Sequence, residues 1–403
     1  MRLKPSLAIF GVKPRCDELL PVGQFYWPEW EGYEKAARGI FSRRYYTAQR
    51  YAGPLVIQFQ HRLQDFLGVK HAIAVRTAMN GLMIANHALG PKGKVIVPSW
   101  TFSATVQSLL WSKCQPVFCD IDVESQQISL ASIRRLLEGG GEIKGILGVH
   151  LWGNAPPIYE LERLAEEYGV TLYCDATHAF GCRVNERAIG TFGRAEVLSF
   201  HAANILSTAE GGCITTNDDA LAVKLQAMRG DHQPGSRVAM QSATARMSEI
   251  QAAIGLMMLD DFDRNRRNNE EQYHSYERLL SAIPGIRILK HSGVTRSNFQ
   301  NFVGVVEFGL TRDELLVVLR AENVAAERHF WPSTHVVSFF TQVPFEHGQL
   351  KNTELAAQHT FQLPLGARVT ADHIEDICDI VNEAHVHSHV IKSMLSSSAA
   401  TTI

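Results

Sequence analysis

Four short stretches of the chain carry polar and aromatic residues of the kinds a reaction site needs. They are RTAMNG (76–81), PSWTFSAT (98–105), DATHAFG (175–181) and SFHAANILSTAEGG (199–212), each directly after an apolar run. A carboxylate such as Asp175 can hold a proton on a pyridinium nitrogen and keep the ring cationic, the condition under which pyridoxal phosphate (PLP) is an electron sink. Phe102 can stack on such a ring. The Ser199 hydroxyl and the backbone amides around Ala78 to Gly81, including those of Met79 and Asn80, stand at an expected helix N-terminus and can bind a phosphate. His178, one helical turn beyond Asp175, can reach a phenolic oxygen, and His201 adds a second imidazole able to move protons. Taken singly, each has a plainer reading: a capping aspartate or serine, a core aromatic, a structural histidine. Taken together, at successive strand ends, they converge on one cleft.

The elements that would position them follow from hydrophobic patterning. Between about Ala72 and Thr216, short β-rich runs (AIAV, KVIVPSW, PVFCDID, IKGILGVHLWG, VTLYCDA, AEVLSF and GGCITT) alternate with helix-like stretches such as NGLMIANHAL, SATVQSLLWS, LASIRRLLEG and IYELERLAEEYG. The last of these stops at Gly169, as a helix with a C′ glycine does. This alternation predicts an α/β unit with a mostly parallel sheet covered on both faces, and ligands of such sheets bind beyond the strands' carboxyl ends. Arg246 to Leu280 reads as one long helical stretch leading to a smaller α+β domain built from FVGVVEFG, TRDELLVVLRAEN and TADHIEDICDIVNEAH. The expected division is 1–255 for an N-terminal segment plus the large domain, 256–390 for the small domain, and 391–403 for a disordered tail. The first fifty residues are aromatic and irregular and are expected to pack beside the small domain.

Composition narrows the partners. The 403 residues carry a formal net charge of −2 with scattered basic side chains, so no field gathers nucleic acid or an anionic membrane. A small-molecule partner is expected. Seven cysteines without a C-x-x-C pair argue against a disulfide framework and a structural zinc site, and no apolar run reaches the ~18 residues of a membrane span. A cytoplasmic location, with no metal, is the expectation.

The successive stretches PSWTFSAT, CDID through GVHLWGNAPP to YCDATHAFG, SFHAANILSTAEGG and RMSEIQAAIG resemble the motifs of the DegT/StrS family of PLP-dependent sugar aminotransferases. The resemblance extends upstream to YYTAQRYAGPLVIQFQHRLQDFLGV and downstream to RHFWPSTH and FQLPLG, and so covers nearly the whole chain. It implies the PLP-transferase fold type I, as in aspartate aminotransferase, and a homodimer acting on keto sugars carried on nucleotides, with glutamate as the amino donor. It places Asp175 on the pyridine nitrogen, His178 on the ring oxygen, Phe102 on the ring face and Ser199 on the phosphate, with Arg328, His329 and His335 near the substrate.

The resemblance also marks three departures, all at cofactor contacts. Where the family's S-F-H-x-x-K motif carries the Schiff-base lysine stands Asn204, and no lysine occurs between Lys144 and Lys224. A carboxamide nitrogen is neither nucleophilic nor basic. The phosphate-cup threonine corresponds to Met79, and the asparagine that reaches a phosphate across the dimer corresponds to Thr244, with Arg246 kept. General acid and base work contributes roughly 10²- to 10⁴-fold, and the lysine adds covalent catalysis, so ordinary transamination is not expected. Four readings follow. The first is a transferase or lyase holding PLP or pyridoxamine phosphate (PMP) non-covalently, similar to the sugar 3-dehydratases that carry histidine at the lysine position, with His201 or His178 as base. The second is a PLP-independent enzyme, the third a sugar-binding pseudoenzyme, and the fourth an engineered lysine-to-asparagine variant.

Overall fold

A computed structural model describes residues 6–46, 52–90, 93–231, 242–337, 346–347 and 350–399. All seven expected strands form: β1 (His71–Val75), β2 (Lys94–Pro98), β3 (Gln115–Cys119), β4 (Ile143–Val149), β5 (Thr171–Asp175), β6 (Glu196–Ser199) and β7 (Gly212–Thr216). A small sheet contains β8 (Ile286–Ile288), β9 (Phe302–Val306) and β11 (Thr360–Leu363), while β10 (Glu346–His347) joins the edge of the large sheet. Among the described residues the large sheet has eight strands in the order β10-β3-β2-β4-β5-β6-β7-β1. It is parallel except at β7, which runs antiparallel to both β6 and β1.

The helices follow the apolar periodicity. On the large sheet lie α2 (Pro54–Leu67), α3 (Ala78–Leu89), α4 (Ser103–Trp111), α5 (Leu130–Glu138), α6 (Ile158–Glu167) and α7 (Asp219–Arg229), after α1 (Trp30–Arg43) near the N-terminus. Two buried apolar clusters flank the sheet: one holds Phe59, Ile96, Leu161, Cys174 and Phe200, the other Ile73, Val95, Leu147, Val197 and Ile214. Neighbouring residues of a strand thus face opposite layers, which is why the strand runs are apolar throughout. All seven cysteines are buried and free.

The long helical stretch is two helices, α8 (Glu249–Asp260) and α9 (Phe262–Leu280). Ser248 starts α8 through a capping box with Gln251, and α9 buries Asn265, Asn269, Gln272, Tyr273 and Tyr276. Beyond it, α10 (Arg312–Ala321) and α12 (Ala371–Val386) are both started by threonine capping boxes, at Thr311 and Thr370, and α11 (Lys351–His359) lies between them in the chain.

The two chain ends differ: the first meets its expectation and the second is corrected. Leu7, Cys16 and Leu20 enter the same core as Phe302, Leu315, Phe361 and Ile377, so the start of the chain packs with the small sheet, where the first residues were expected. The stretch 391–403 is not a frayed tail as far as it is described. Helix α13 (Ser388–Ala399) runs through it, and Ile391 is fully buried in the small core with Leu395 packed against it, so apolar side chains hold this stretch down. Residues 400–403 and the TAQRY part of the upstream motif, residues 47–51, lie outside the described residues.

Candidate active site

Parallel strands bring their carboxyl ends to one edge. Val149 stands level with Asp175, Asp175 with Val197, and Ser199 with Gly212 and Val75. A cleft of about 500 Å³ opens at this edge, floored by the residues that follow β1, β2, β4, β5 and β6. Its other wall comes from the small sheet and its approaches: Gln300, Asn301, Glu327, His329, Phe330 and Gln362.

Helix α3 starts on the floor. Thr77 is its N-cap and accepts from the Asn80 amide at 3.2 Å. Gly212 lets the helix end sit this close, since a Cβ there would lie 2.8 Å from the Ala78 nitrogen. The end of a helix dipole, with Thr77, Ala78 and Met79 lining the cleft, suits an anion. Asn80 does not contribute as expected: its amide is spent on Thr77, its side-chain oxygen accepts from the Thr77 hydroxyl, and it lies outside the lining.

Asp175, at the end of β5, is 4% exposed and meets three donors. Thr105 Oγ1 donates at 2.7 Å, Thr177 N at 3.0 Å and Thr177 Oγ1 at 2.5 Å. Thr101 stands 3.0 Å behind Thr105, so its hydroxyl donates to Thr105 and completes a relay that holds the carboxylate fixed. His178 lies beside it, its ring stacked on Trp152 with centroids 5.4 Å apart. Burial pushes this imidazole down to about 4, with the nearby His329 adding to the effect, so it is neutral at pH 7. Its edge reaches the cleft, while Nδ1 is buried without a partner. Trp152 is oriented in turn by Gln126, whose Oε1 also accepts from Trp100. Trp100 is core; Phe102 is 61% exposed and lines the cleft, as a stacking ring must.

After β6 the chain turns through His201 to Asn204. The Ser199 hydroxyl lies at the cleft and accepts from the His201 amide at 3.3 Å. His201 is half-exposed, with Nδ1 accepting from Ala203 N and Nε2 3.7 Å from Glu210. Asn204 is 7% exposed and lines the cleft. Its Nδ2 donates to the Ser199 carbonyl at 3.1 Å, and its Oδ1 accepts from Gln300 Nε2 at 3.0 Å. No lysine is among the described lining residues.

The substrate residues expected from RHFWPSTH divide. His329 lies in the cleft wall, its Nε2 2.6 Å from Glu327. Arg328 and His335 do not line it, correcting their expected place. Arg328 is an exposed residue facing Asp313, and His335 is buried against Ser99, with Nδ1 2.6 Å from its hydroxyl. Thr244 sits in a neighbouring depression with Arg76 and Arg246, which shares Thr77 and Glu210 with the cleft. Sequence reasoning missed Thr105 and Thr177, although both stand inside quoted motifs. It also missed Gln362, which stands inside the quoted FQLPLG, and Gln300 and Glu327, for which no local pattern was available.

Residues 44–382 match the sequence profile of the DegT/DnrJ/EryC1/StrS aminotransferase family. The chain belongs to this family. Among its DegT-family relatives, the dTDP-4-amino-4,6-dideoxy-D-glucose transaminase of Shigella dysenteriae is 32% identical over 334 residues, covering 82% of this chain and 90% of that protein. The GDP-perosamine synthase of Caulobacter vibrioides is 30% identical over 343 residues, covering 83% and 91%. The crystal structure of DesI in the presence of its TDP-sugar product superposes with a TM-score of 0.89 at 32% identity, covering 96% of this chain and 98% of that one. The fold is therefore that of the PLP aminotransferases of fold type I, as the resemblance implied.

Proposed function

We propose that this DegT-family protein binds a nucleotide-linked keto sugar beside PLP or PMP held without a covalent bond to the protein, in sugar or secondary-metabolite biosynthesis. The observation that carries the reading is the pairing of a cofactor-suited floor with a carboxamide at position 204. The buried, unpartnered Nδ1 of His178 and the Asp175 carboxylate with its fixed donors suit a pyridine ring bearing a phenolic oxygen. PLP or PMP, when bound, supplies an electron-withdrawing ring. Asp175 would hold the ring-nitrogen proton, Phe102 would cover a face, and Ser199 with the α3 N-terminus would hold the phosphate. Neutral His178 would hydrogen-bond the ring oxygen without carrying a charge into the cleft. Asn204, tied to Ser199 and Gln300, offers no nucleophile and no base, so the chain does not perform ordinary transamination at this position. Met79 brings no hydroxyl to the phosphate cup, and Thr244 replaces the amide expected there, which fits a site that has moved away from lysine chemistry.

A PLP-independent acid–base enzyme is the second reading, and the Glu327–His329 contact of 2.6 Å in the cleft wall favours it. A homodimer is the expected assembly, supported by the resemblance and by the exposed aromatic residues Trp30, Phe41 and Tyr46 near the N-terminus. A cytoplasmic location accords with seven free thiols and with the lack, among the described residues, of a helix long and apolar enough to cross a membrane.

The test is retention followed by reduction. Purified protein mixed with one equivalent of PLP, passed over a desalting column, reduced with borohydride and digested should retain PLP before reduction and yield no stoichiometric lysine adduct. A single stoichiometric adduct overturns the non-covalent reading, and failure to retain PLP, or PMP in a parallel run, favours the PLP-independent enzyme or the sugar-binding pseudoenzyme.

A further inference from the structure

The orientation of the two carboxamides at the cleft, Asn204 and Gln300, is dictated from both ends by backbone groups of fixed polarity. The Ile205 N–H can only donate, and it bonds Gln300 Oε1 at 3.1 Å. That turns Gln300 Nε2 toward Asn204, where it meets Oδ1 at 3.0 Å. At the other end the Ser199 carbonyl can only accept, and it takes Asn204 Nδ2 at 3.1 Å. Neither amide can flip without facing like against like at both contacts. Gln300 is itself clamped through its backbone: its main-chain N–H donates to Asn298 Oδ1 at 3.0 Å and its main-chain carbonyl accepts from Gln24 Nε2 at 2.7 Å. Asn298 in turn donates to the carbonyls of His178 and Phe180.

The hydrogen inventory then points one way. Each carboxamide nitrogen has two hydrogens, and each spends one on the protein, while each oxygen already accepts a protein donor. Both residues are at least nine-tenths buried yet line the cleft. We infer that Asn204 and Gln300 form a two-donor cradle for a carbonyl oxygen, so that the cleft selects a ligand carrying an aldehyde or ketone there over one carrying an ammonium group. Amide donors already held in place by the protein need no reorganisation when the ligand arrives, whereas an ammonium group would face N–H against N–H. This rests on the reading that the coenzyme binds without a covalent bond, and it assigns the aldehyde form, PLP, to the cradle in preference to PMP.

Calorimetric titration of the purified protein with PLP, PMP and 4′-deoxypyridoxine 5′-phosphate, which lacks the carbonyl, separates the possibilities. One or two neutral hydrogen bonds predict PLP binding about tenfold or more tighter than the deoxy analogue, with PMP weaker than PLP. Gln300→Met and Asn204→Ala, each checked for an unchanged unfolding transition, should bring the three ligands to within about twofold of one another. Equal binding of all three by the unaltered protein, or discrimination that persists in the folded variants, overturns the cradle alone. Binding of none of the three overturns the coenzyme reading and the cradle with it.

Discussion

Two strand ends stand side by side on the cleft floor and have diverged in what they can do. At the end of β5, Asp175 is a buried carboxylate met by Thr105 and Thr177, with Thr101 behind. Past the end of β6, Asn204 is equally buried and equally well bonded, but to the Ser199 carbonyl and Gln300. Both sites are preorganised and neither leaves its polar side chain unbonded. The difference lies in chemistry: the first presents a charge that a cationic ring needs, and the second an amide that neither attacks nor takes up a proton. Fixed geometry and reactive capacity are separate properties, and this floor keeps the first at both ends and the second at one.

Asn204→Lys would break the comparison most completely. With the Asp175 side already suited to the coenzyme, this variant should acquire one borohydride-stable PLP adduct at residue 204, an all-or-none change read by peptide mass. If it takes up no PLP, the Asp175 side does not hold the coenzyme either. Asp175→Ala attacks the other strand end. Removing a charged hydrogen-bonding partner costs about 1.5–3 kcal/mol, so PLP affinity measured by calorimetry should fall by about ten- to a hundredfold, and a loss under threefold would mean that Asp175 does not contact the ring.

The smallest effect sharpens the Asp175 side by its neighbour. Burial pushes the His178 imidazole down to about 4 from the ordinary 6.5, so between those values the unfolded chain binds a proton that the folded chain refuses. Stability contributed by neutral His178 is present above pH 6.5 and is lost as pH falls toward 4. Urea unfolding across this range should lose up to about one proton's worth of slope in His178→Gln, at most roughly 1.4 kcal/mol per pH unit. His291, also held down to about 4 by burial, keeps its own share in both proteins. An unchanged slope would show that His178 is not the group refusing the proton.

The legible part of this protein lay in local pattern. Continuous apolar runs such as KVIVP and GCITT became buried strands, Thr311 and Thr370 started helices through capping boxes, and Gly169 took the positive φ that ends α6. These are decided by a few neighbouring residues, so the sequence shows them. Asp175, His178, Ser199 and Asn204 were legible as a set because parallel strands must bring their carboxyl ends to one edge.

Contacts made across large separations were not legible. Gln300 bonds Asn204 from 96 residues away, and the polar run SNFQN before β9 carries no periodic mark of facing a cleft. Glu327 and Gln362 reach the same wall only because the segments bearing them pair as an isolated bridge. His335 and Arg328 share a motif with His329, yet Ser99 captures one and Asp313 the other. The sequence by itself determined which chemical groups the cleft floor could offer, above all that position 204 is a carboxamide. Only the tertiary structure decided which way that carboxamide points, because its orientation is imposed by the Ser199 carbonyl and, through Gln300, by the Ile205 amide, and that meeting exists only once the small sheet has folded back over the large one.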